Sequence, residues 1–167
     1  MIDEARLLAN EASAGRTCGD CPVCCILPEI AALAKPPREV CAHLIEGRCG
    51  RYNTRPEACR AFHCLWLRGA LRSGDIALRP ANLGVLLDAY ISSPSQELRI
   101  VATEVWAEAL EQDEARAIVA ALAELGTVTV YYRDGRCSEL TSECTSPGES
   151  AANPVKAASG SVTPRNS

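Results

Sequence analysis

The chain has 167 residues, a net charge of −4 and 47% apolar residues, which is enough for one ordinary domain with a modest core. The negative charge argues against nucleic acid as a partner, because phosphate contacts need a basic face. No apolar stretch approaches the roughly 20 residues that span a bilayer, so we predict no membrane partner either. Aromatic residues are few, and the core must therefore be built mainly from Leu, Val, Ile and Ala.

Residues 1–16 are predicted to form a short N-terminal helix. Ile2, Ala5 and Leu8 recur about three residues apart, which is typical of one helix face. The chain opens with acidic residues and has no apolar run of secretory length, so we predict a cytoplasmic protein. In that reducing compartment, cysteine thiols stay reduced unless a metal holds them.

Residues 17–74 are predicted to form a cysteine-rich, metal-binding domain. Prolines and glycines make this segment turn-rich, and the clearest helix in it covers residues 57–71, after Pro56. Such cysteine density in a cytoplasmic chain indicates a metal site rather than a disulfide scaffold. Eight of the ten cysteines lie here: Cys18, Cys21, Cys24, Cys25, Cys41, Cys49, Cys59 and Cys64.

The first four cysteines follow the pattern CxxCxxCC. A Cys-x-x-Cys step folds as a tight knuckle that points two sulfurs at one ion, while its backbone N–H groups donate to those sulfurs. The neighbours Cys24 and Cys25 cannot both face one small site without a strained turn. We therefore expect them to serve different metals, or different edges of one cluster.

The last two cysteines of the segment constrain the predicted helix. On a regular helix Cys59 and Cys64 would lie about 140° apart and could not reach the same small ion. Either the helix is broken between them or each belongs to a different site. His63 falls near the face of Cys59, and His43 follows Cys41 by two residues. For both histidines we favour a structural role over metal ligation, because eight thiolates already suffice for two four-coordinate sites.

Arginines are concentrated around the second half of the cysteine segment. One explanation is a DNA-binding patch, and the other is compensation of the negative charge that metal thiolates carry. We favour the second, since the aromatic residues that stack on bases are not interleaved with the arginines. Arg55 and Arg60 are the residues predicted to act on the cofactor through their charge.

Residues 75–140 are predicted to form a small β-β-α-β part packed on the cysteine-rich domain. Runs at 83–91 and 98–105 indicate a hairpin, residues 113–125 a helix that Gly126 ends, and residues 127–132 a further strand. The fold class is therefore α+β. Residues 141–167 are predicted to be a disordered tail. Cys137 and Cys144, which lie in or near this tail and outside the pattern, are predicted to be free thiols.

The cysteine segment resembles a known family, the CxxCxxCC (YkgJ-type) cysteine-cluster proteins, which are described as a zinc- or iron-chelating domain. The resemblance covers residues 18–67 and is carried by the cysteine spacing, by Arg55-Pro56-x-x-Cys59-Arg60, and by Cys64-x-Trp66. It implies that all eight cysteines of the segment bind metal. The family also includes a larger enzyme, the flagellin lysine methylase, but this chain shares only the cluster, so methylation is not transferred to it.

Both an iron–sulfur cluster and zinc accept four thiolates. Closely packed Cys-x-x-Cys-x-x-Cys runs occur in bacterial ferredoxins, so we prefer iron–sulfur, although Cys21-Pro22 is typical of structural zinc sites. The sequence has no Gly-rich phosphate loop, G-x-S-x-G or H-E-x-x-H motif, and we predict a protein that is not an enzyme on its own. The remaining alternatives are a zinc-stabilised module that binds an unidentified protein, and an iron–sulfur component of a redox or protein-modifying system.

Overall fold

A computed structural model describes residues 2–71 and 74–141 of the chain, and it has a mixed α+β architecture. Its short helices are α1 (Val23–Ile26), α2 (Glu57–Ala61), α3 (Leu65–Arg68), α4 (Pro80–Leu83) and α5 (Asp113–Ala123). Its strands are β1 (Leu44–Ile45), β2 (Arg48–Cys49), β3 (Val85–Ile91), β4 (Leu98–Glu104), β5 (Thr127–Tyr131) and β6 (Cys137–Leu140). Single 3₁₀ turns lie at Glu4–Arg6, Ala31–Leu33, Tyr52–Thr54, Ile76–Leu78 and Ala109–Glu111.

The larger sheet has four strands in the order β3-β4-β5-β6. β3 and β4 form an antiparallel hairpin, with Val85 opposite Glu104 and Ile91 opposite Leu98. β5 runs parallel to β4, as α5 crosses between them, and β6 returns antiparallel to β5. The predicted β-β-α-β order is therefore present, and β6 extends it by a strand that the sequence analysis did not predict.

The main core lies between one face of this sheet and α5. Alternate residues of the strands are buried towards it, including Ile100 on β4 and Val128 on β5. α5 contributes Val119 and Leu122, as its apolar periodicity predicts. At the following turn, a Cβ on Gly126 would lie 2.6 Å from the Leu98 carbonyl oxygen, so only glycine fits there without displacing β4.

The opposite face of the sheet carries a smaller apolar cluster. Leu86 projects from β3 to that side and packs with Val23 and Leu27 of the cysteine segment, while Phe62 packs at its margin. The cysteine segment is thus attached to the sheet by apolar contacts, and the sheet provides the base on which the cysteines are arranged.

The predicted helix over residues 1–16 is wrong for most of its length, because only Glu4–Arg6 is helical, as a 3₁₀ turn. The segment instead lies against α3. Leu7 is buried in the main core, and the Asp3 N–H donates to the Ala70 carbonyl at 2.7 Å. Tertiary contacts therefore replace the helical hydrogen bonds that the apolar spacing indicated.

The predicted single helix over residues 57–71 is also wrong: residues 62–64 interrupt it, and Phe62 and Cys64 have extended backbones. α2 buries none of its residues, whereas every residue of α3 is buried, and Leu65 is 0% exposed. The break thus separates a surface helix from one that is surrounded by protein. Gly69 ends α3 with a φ of 85°, a conformation that favours glycine.

The predicted disordered tail and Cys144 lie outside the described residues, apart from position 141. Within the part of the chain that the structure describes, no helix has the length and apolar character needed to cross a bilayer.

Arg68 connects α3 to the sheet, and its removal should destabilise the protein. Its guanidinium donates to the Leu7 and Ala89 carbonyls at 2.6 and 3.0 Å, and to Asp88 Oδ1 at 2.6 Å. Arg68→Ala would leave these acceptors without their donor. We expect a loss of about 3 kcal/mol in the free energy of unfolding, at the low end for a broken buried pair because Asp88 remains partly exposed.

The matched control is Arg60→Ala, since Arg60 also pairs with a carboxylate, Glu57 at 2.6 Å, but on the surface. Its loss should cost less than about 1 kcal/mol. Urea denaturation of both variants measures the difference, and equal effects would contradict the structural role assigned to Arg68.

Candidate metal centre

Seven of the eight cysteines of the segment line one cavity of about 110 Å³. The cavity lies between α1, the β1–β2 hairpin and α2, and its walls also include Tyr52, Arg55 and Phe62. Its cysteines are Cys18, Cys21, Cys24, Cys25, Cys41, Cys49 and Cys59. The structure therefore brings together residues that are up to 41 positions apart in the sequence.

The eighth cysteine, Cys64, lies in a second, smaller cavity of about 30 Å³ beside the first. Cys18, Cys21, Cys24 and Cys59 line both cavities, and so do Arg55 and Phe62. Arg79 and Leu86 complete the wall towards the sheet. All eight thiols are free of disulfide bonds, as the metal-site prediction requires.

The first knuckle is a tight turn with backbone N–H groups near one of its sulfurs. Residues 18–21 form a turn in which the Cys21 N–H donates to the Cys18 carbonyl at 2.9 Å. The Cys21 sulfur in turn accepts from the backbone N–H groups of Val23 and Ala81, which lower its pKa, although burial outweighs them and raises it. Backbone N–H groups aimed at a sulfur are the arrangement that stabilises a metal-bound thiolate.

The second group of cysteines reaches the cavity through backbone pairing. The Cys41 N–H donates to the Cys25 carbonyl at 2.9 Å, which joins the residue preceding the hairpin to α1. In the hairpin Cys49 pairs with Leu44, and its sulfur accepts from the Arg51 N–H. These contacts position Cys41 and Cys49 close to Cys25.

The thiols of Cys24 and Cys25 are hydrogen-bonded to each other. The hydrogen bond from Cys24 lowers the pKa of Cys25 to about 6, and the same bond raises the pKa of Cys24 well above its usual range. The Cys49 thiol and the positive charges of Lys35 and Arg55 lower the pKa of Cys25 further. Cys25 is therefore the thiol of this pair that ionises first.

The remaining thiols are shifted mainly by burial. Burial raises the pKa of Cys64 to about 12, and its neighbours Cys21 and Cys18 add to the increase. Burial also raises the pKa of Cys59, but the thiols that reinforce it are Cys25, Cys41 and Cys49. The two cysteines flanking the helix break thus have different thiol neighbours.

A buried lysine that the sequence analysis did not single out supports this site. The Lys35 ammonium donates to the carbonyls of Ile26, Pro28 and Pro36 at 3.1, 2.6 and 3.0 Å. Burial lowers the pKa of Lys35, and the nearby thiols Cys41 and Cys25 oppose that shift. Lys35 closes the loop that follows α1 and places a cation beneath the thiols.

Arg55 lies beside the thiols, as predicted. Its guanidinium carbon is 3.7 Å from the centroid of the Tyr52 ring, and the Tyr52 hydroxyl contacts the Cys18 thiol. Its Nε atom is buried without a hydrogen-bond partner. The structure positions Arg60 differently: it is exposed, pairs with Glu57, and is not among the residues that line either cavity.

Arg79 is a further cation at the site, missed because nothing in its local sequence distinguishes it. Its Nη1 donates to Asp20 Oδ1 at 2.6 Å, between two cysteines of the first knuckle, and this bond lowers the pKa of Asp20. The Arg79 Nε, like that of Arg55, is buried without a hydrogen-bond partner. Arg79 reaches the cysteines only through folding, from the turn before α4.

The two histidines differ in position. His43 lines the larger cavity and its Nε2 lies 3.3 Å from Arg51 Nη1. His63 lines neither cavity, and its Nδ1 lies 3.0 Å from the Ala61 carbonyl oxygen. The structural role favoured for His63 therefore has a hydrogen bond to support it.

The donor set fits a thiolate-bound metal group in its chemistry. Eight unpaired thiols, three cations and two orphaned guanidinium N–H groups suit a bound group of negative charge. The described side chains that could bind a metal do not, however, surround a common point. Among residues 2–71 and 74–141, no three His, Cys, Asp or Glu side chains are close enough to one point to hold an ion.

Comparison with models of known protein families, with curated proteins and with solved structures finds no match to this chain. The likeness to the CxxCxxCC family therefore depends on the motifs of residues 18–67 alone.

Removal of the Lys35 ammonium should destabilise the cysteine segment. Lys35→Met keeps most of the buried volume but leaves three carbonyls without their donor, and unpaired buried groups cost roughly 1–3 kcal/mol each in unfolding free energy. We expect a loss of about 3 kcal/mol, the low end of that range for three acceptors, measured by urea denaturation. Arg48→Met is the control, since Arg48 is exposed and should change stability by less than about 0.5 kcal/mol. A Lys35 variant as stable as the control would contradict this role.

Proposed function

We propose that this protein binds a metal group through the thiolates of its eight clustered cysteines, and that it does so as a metal-binding protein rather than as an enzyme on its own. The observation that carries the proposal is the convergence of eight disulfide-free thiols on two adjoining cavities. Thiols at this density serve as metal ligands in reducing compartments. Metal binding would draw the sulfurs together, because such sites often complete their geometry only when the ion is bound.

For the bound group we favour an iron–sulfur cluster over zinc. Arg55 and Arg79 each bury an N–H group that has no partner beside the cysteines, and an anionic cluster with exposed sulfides would accept hydrogen bonds from such groups. When bound, the cluster would supply electron transfer or radical chemistry. The clustered cysteines would hold it, and Arg55 and Arg79 would set its charge environment.

A zinc-stabilised interaction module is the second candidate, and a groove beside the site favours it. The groove has a volume of about 500 Å³ and runs between the open face of the sheet and the cysteine segment. Its walls include Val101 and Tyr131 from the sheet, and Phe62 and Pro28, which also line the larger cysteine cavity. A partner bound there would contact the residues that shape the metal centre.

Anaerobic purification tests the proposal and separates the two candidates. The visible spectrum is recorded together with elemental analysis for iron, zinc, copper and acid-labile sulfide. Brown protein with iron and sulfide in near-equal amounts supports the iron–sulfur cluster. Colourless protein with zinc, which unfolds when a chelator is added, supports the interaction module. Protein without stoichiometric metal after anaerobic purification would overturn both.

Substitution of a knuckle cysteine should lower the metal content. Cys21→Ser and Cys24→Ser each remove one thiolate, and because metal binding contributes to folding we expect both variants to hold less metal and to unfold at lower urea concentration. Cys137→Ser is the control, since Cys137 lies on β6 and outside both cysteine cavities. Unchanged metal content in both knuckle variants would contradict the assignment of these ligands.

A further inference from the structure

We propose that the eight cysteines divide into two separate four-thiolate metal sites. The inner site, next to the sheet, consists of Cys18, Cys21, Cys24 and Cys64. The outer site, next to the hairpin, consists of Cys25, Cys41, Cys49 and Cys59. This division rests on the proposed function and adds to it the number of sites and the ligands of each.

Four of the eight cysteines line only one of the two cavities. Cys64 lines only the smaller cavity, whereas Cys25, Cys41 and Cys49 line only the larger one. A single tetrahedral ion takes only four thiolates, so eight cysteines exceed the capacity of one such ion. We therefore place one centre in each cavity and divide the four cysteines shared by both cavities between them.

Packing assigns two of the shared cysteines to the inner site. Cys18 and Cys64 pack against the main core, and Cys21 and Cys64 pack against the smaller apolar cluster around Leu86. A backbone hydrogen bond from the Cys21 N–H to the Cys18 carbonyl closes the turn between them and holds the two residues together. These three cysteines are thus attached to the sheet. Among the described residues, no outer-site cysteine packs against the main core or against the smaller apolar cluster.

The backbone divides the adjacent pair Cys24 and Cys25. The two thiols are hydrogen-bonded to each other, but successive residues of α1 project about 100° apart, so their Cα–Cβ bonds point in different directions. The Cys25 carbonyl is bonded to the Cys41 N–H, and the Cys25 thiol contacts the Cys49 thiol. Cys25 therefore belongs with the hairpin, and Cys24 is left as the fourth ligand beside Cys18 and Cys21.

The break between α2 and α3 divides Cys59 and Cys64 in the same way. Cys59 belongs to α2 and has Cys25, Cys41 and Cys49 as its thiol neighbours. Cys64 precedes α3 and has Cys21 and Cys18 as its neighbours. Each site thus receives one of the two cysteines that flank the break and one of the Cys24–Cys25 pair.

Arg55 occupies a suitable position between the two sites, since it lines both cavities. A divalent ion with four thiolates carries a net charge near −2, so two adjacent sites would repel each other. The guanidinium of Arg55, stacked on Tyr52, would offset part of that repulsion.

Cadmium-113 NMR on the full, reduced chain tests this division without any substitution. The protein is loaded anaerobically with ¹¹³Cd²⁺, and couplings between cadmium and the cysteine Cβ protons identify the ligands of each ion. We expect two cadmium resonances, one coupled to the four inner cysteines and the other to the four outer cysteines. A single resonance, a thiolate coupled to both ions, or a different grouping of cysteines would overturn the division while leaving metal binding intact. A chain that binds no cadmium and is also metal-free as purified would overturn the proposed function, and this division with it.

Two matched variants provide a second readout. Cys64→Ser alters a cysteine found only in the smaller cavity, and Cys49→Ser one found only in the larger. We expect each to lower bound cadmium from two ions to one per chain and to abolish a different resonance, while Cys137→Ser keeps both. Far-UV circular dichroism like that of the unsubstituted chain shows that a variant is folded. Loss of both ions in a folded variant would overturn the division.

Discussion

The interruption of the chain at residues 62–64 is the constraint on which the rest of the cysteine segment depends. α3 carries four consecutive buried residues, so it must be surrounded by protein, with Leu65 in the main core and Arg68 bonded to β3. α2 buries none and remains at the surface. The extended residues between them allow both requirements to be met. As a consequence, Cys64 lines only the smaller cavity, whereas Cys59, five positions earlier, also lines the larger one.

Charge is distributed around the thiols by residues from four separate parts of the chain. Lys35 lies beneath α1, Arg55 precedes α2, Arg79 precedes α4, and the backbone N–H groups of residues such as Val23 and Arg51 point at sulfurs. Buried cations of this kind are costly unless they face acceptors or negative charge. Lys35 has three carbonyl acceptors, and Arg79 has Asp20. The Nε–H groups of Arg55 and Arg79 have no hydrogen-bond partner among the described residues, and they would donate to the negatively charged metal thiolates that we propose.

The sheet and the cysteine segment stabilise each other through two apolar contacts. The end of the segment, from Leu65 to Leu71, joins α5 in the main core, while the start of the segment meets the other face of the sheet through Leu86, Val23 and Leu27. A segment with so many turns and so few apolar residues has little core of its own. Metal ligation would supply cross-links in place of that core, with the inner site next to the rigid sheet and the outer site within the more exposed hairpin region.

The sequence by itself determined the elements whose periodicity is strong and local. The hairpin at 85–104, the helix over Asp113–Ala123 and the strand after it were predicted with nearly their observed bounds, because alternating or helical apolar patterns report directly on a buried face. The cysteine spacing likewise predicted one thiol cluster and a conflict between Cys24 and Cys25. The N-terminal segment, the break at residues 62–64 and β6 could not be predicted in this way, because contacts between residues distant in sequence decide them: Asp3 with Ala70, Arg68 with β3, and Cys137 with Tyr131. Only the tertiary structure showed that Arg79 and Lys35, rather than Arg60, accompany Arg55 at the thiols, since proximity in the fold and not spacing along the chain sets the field around a charged group.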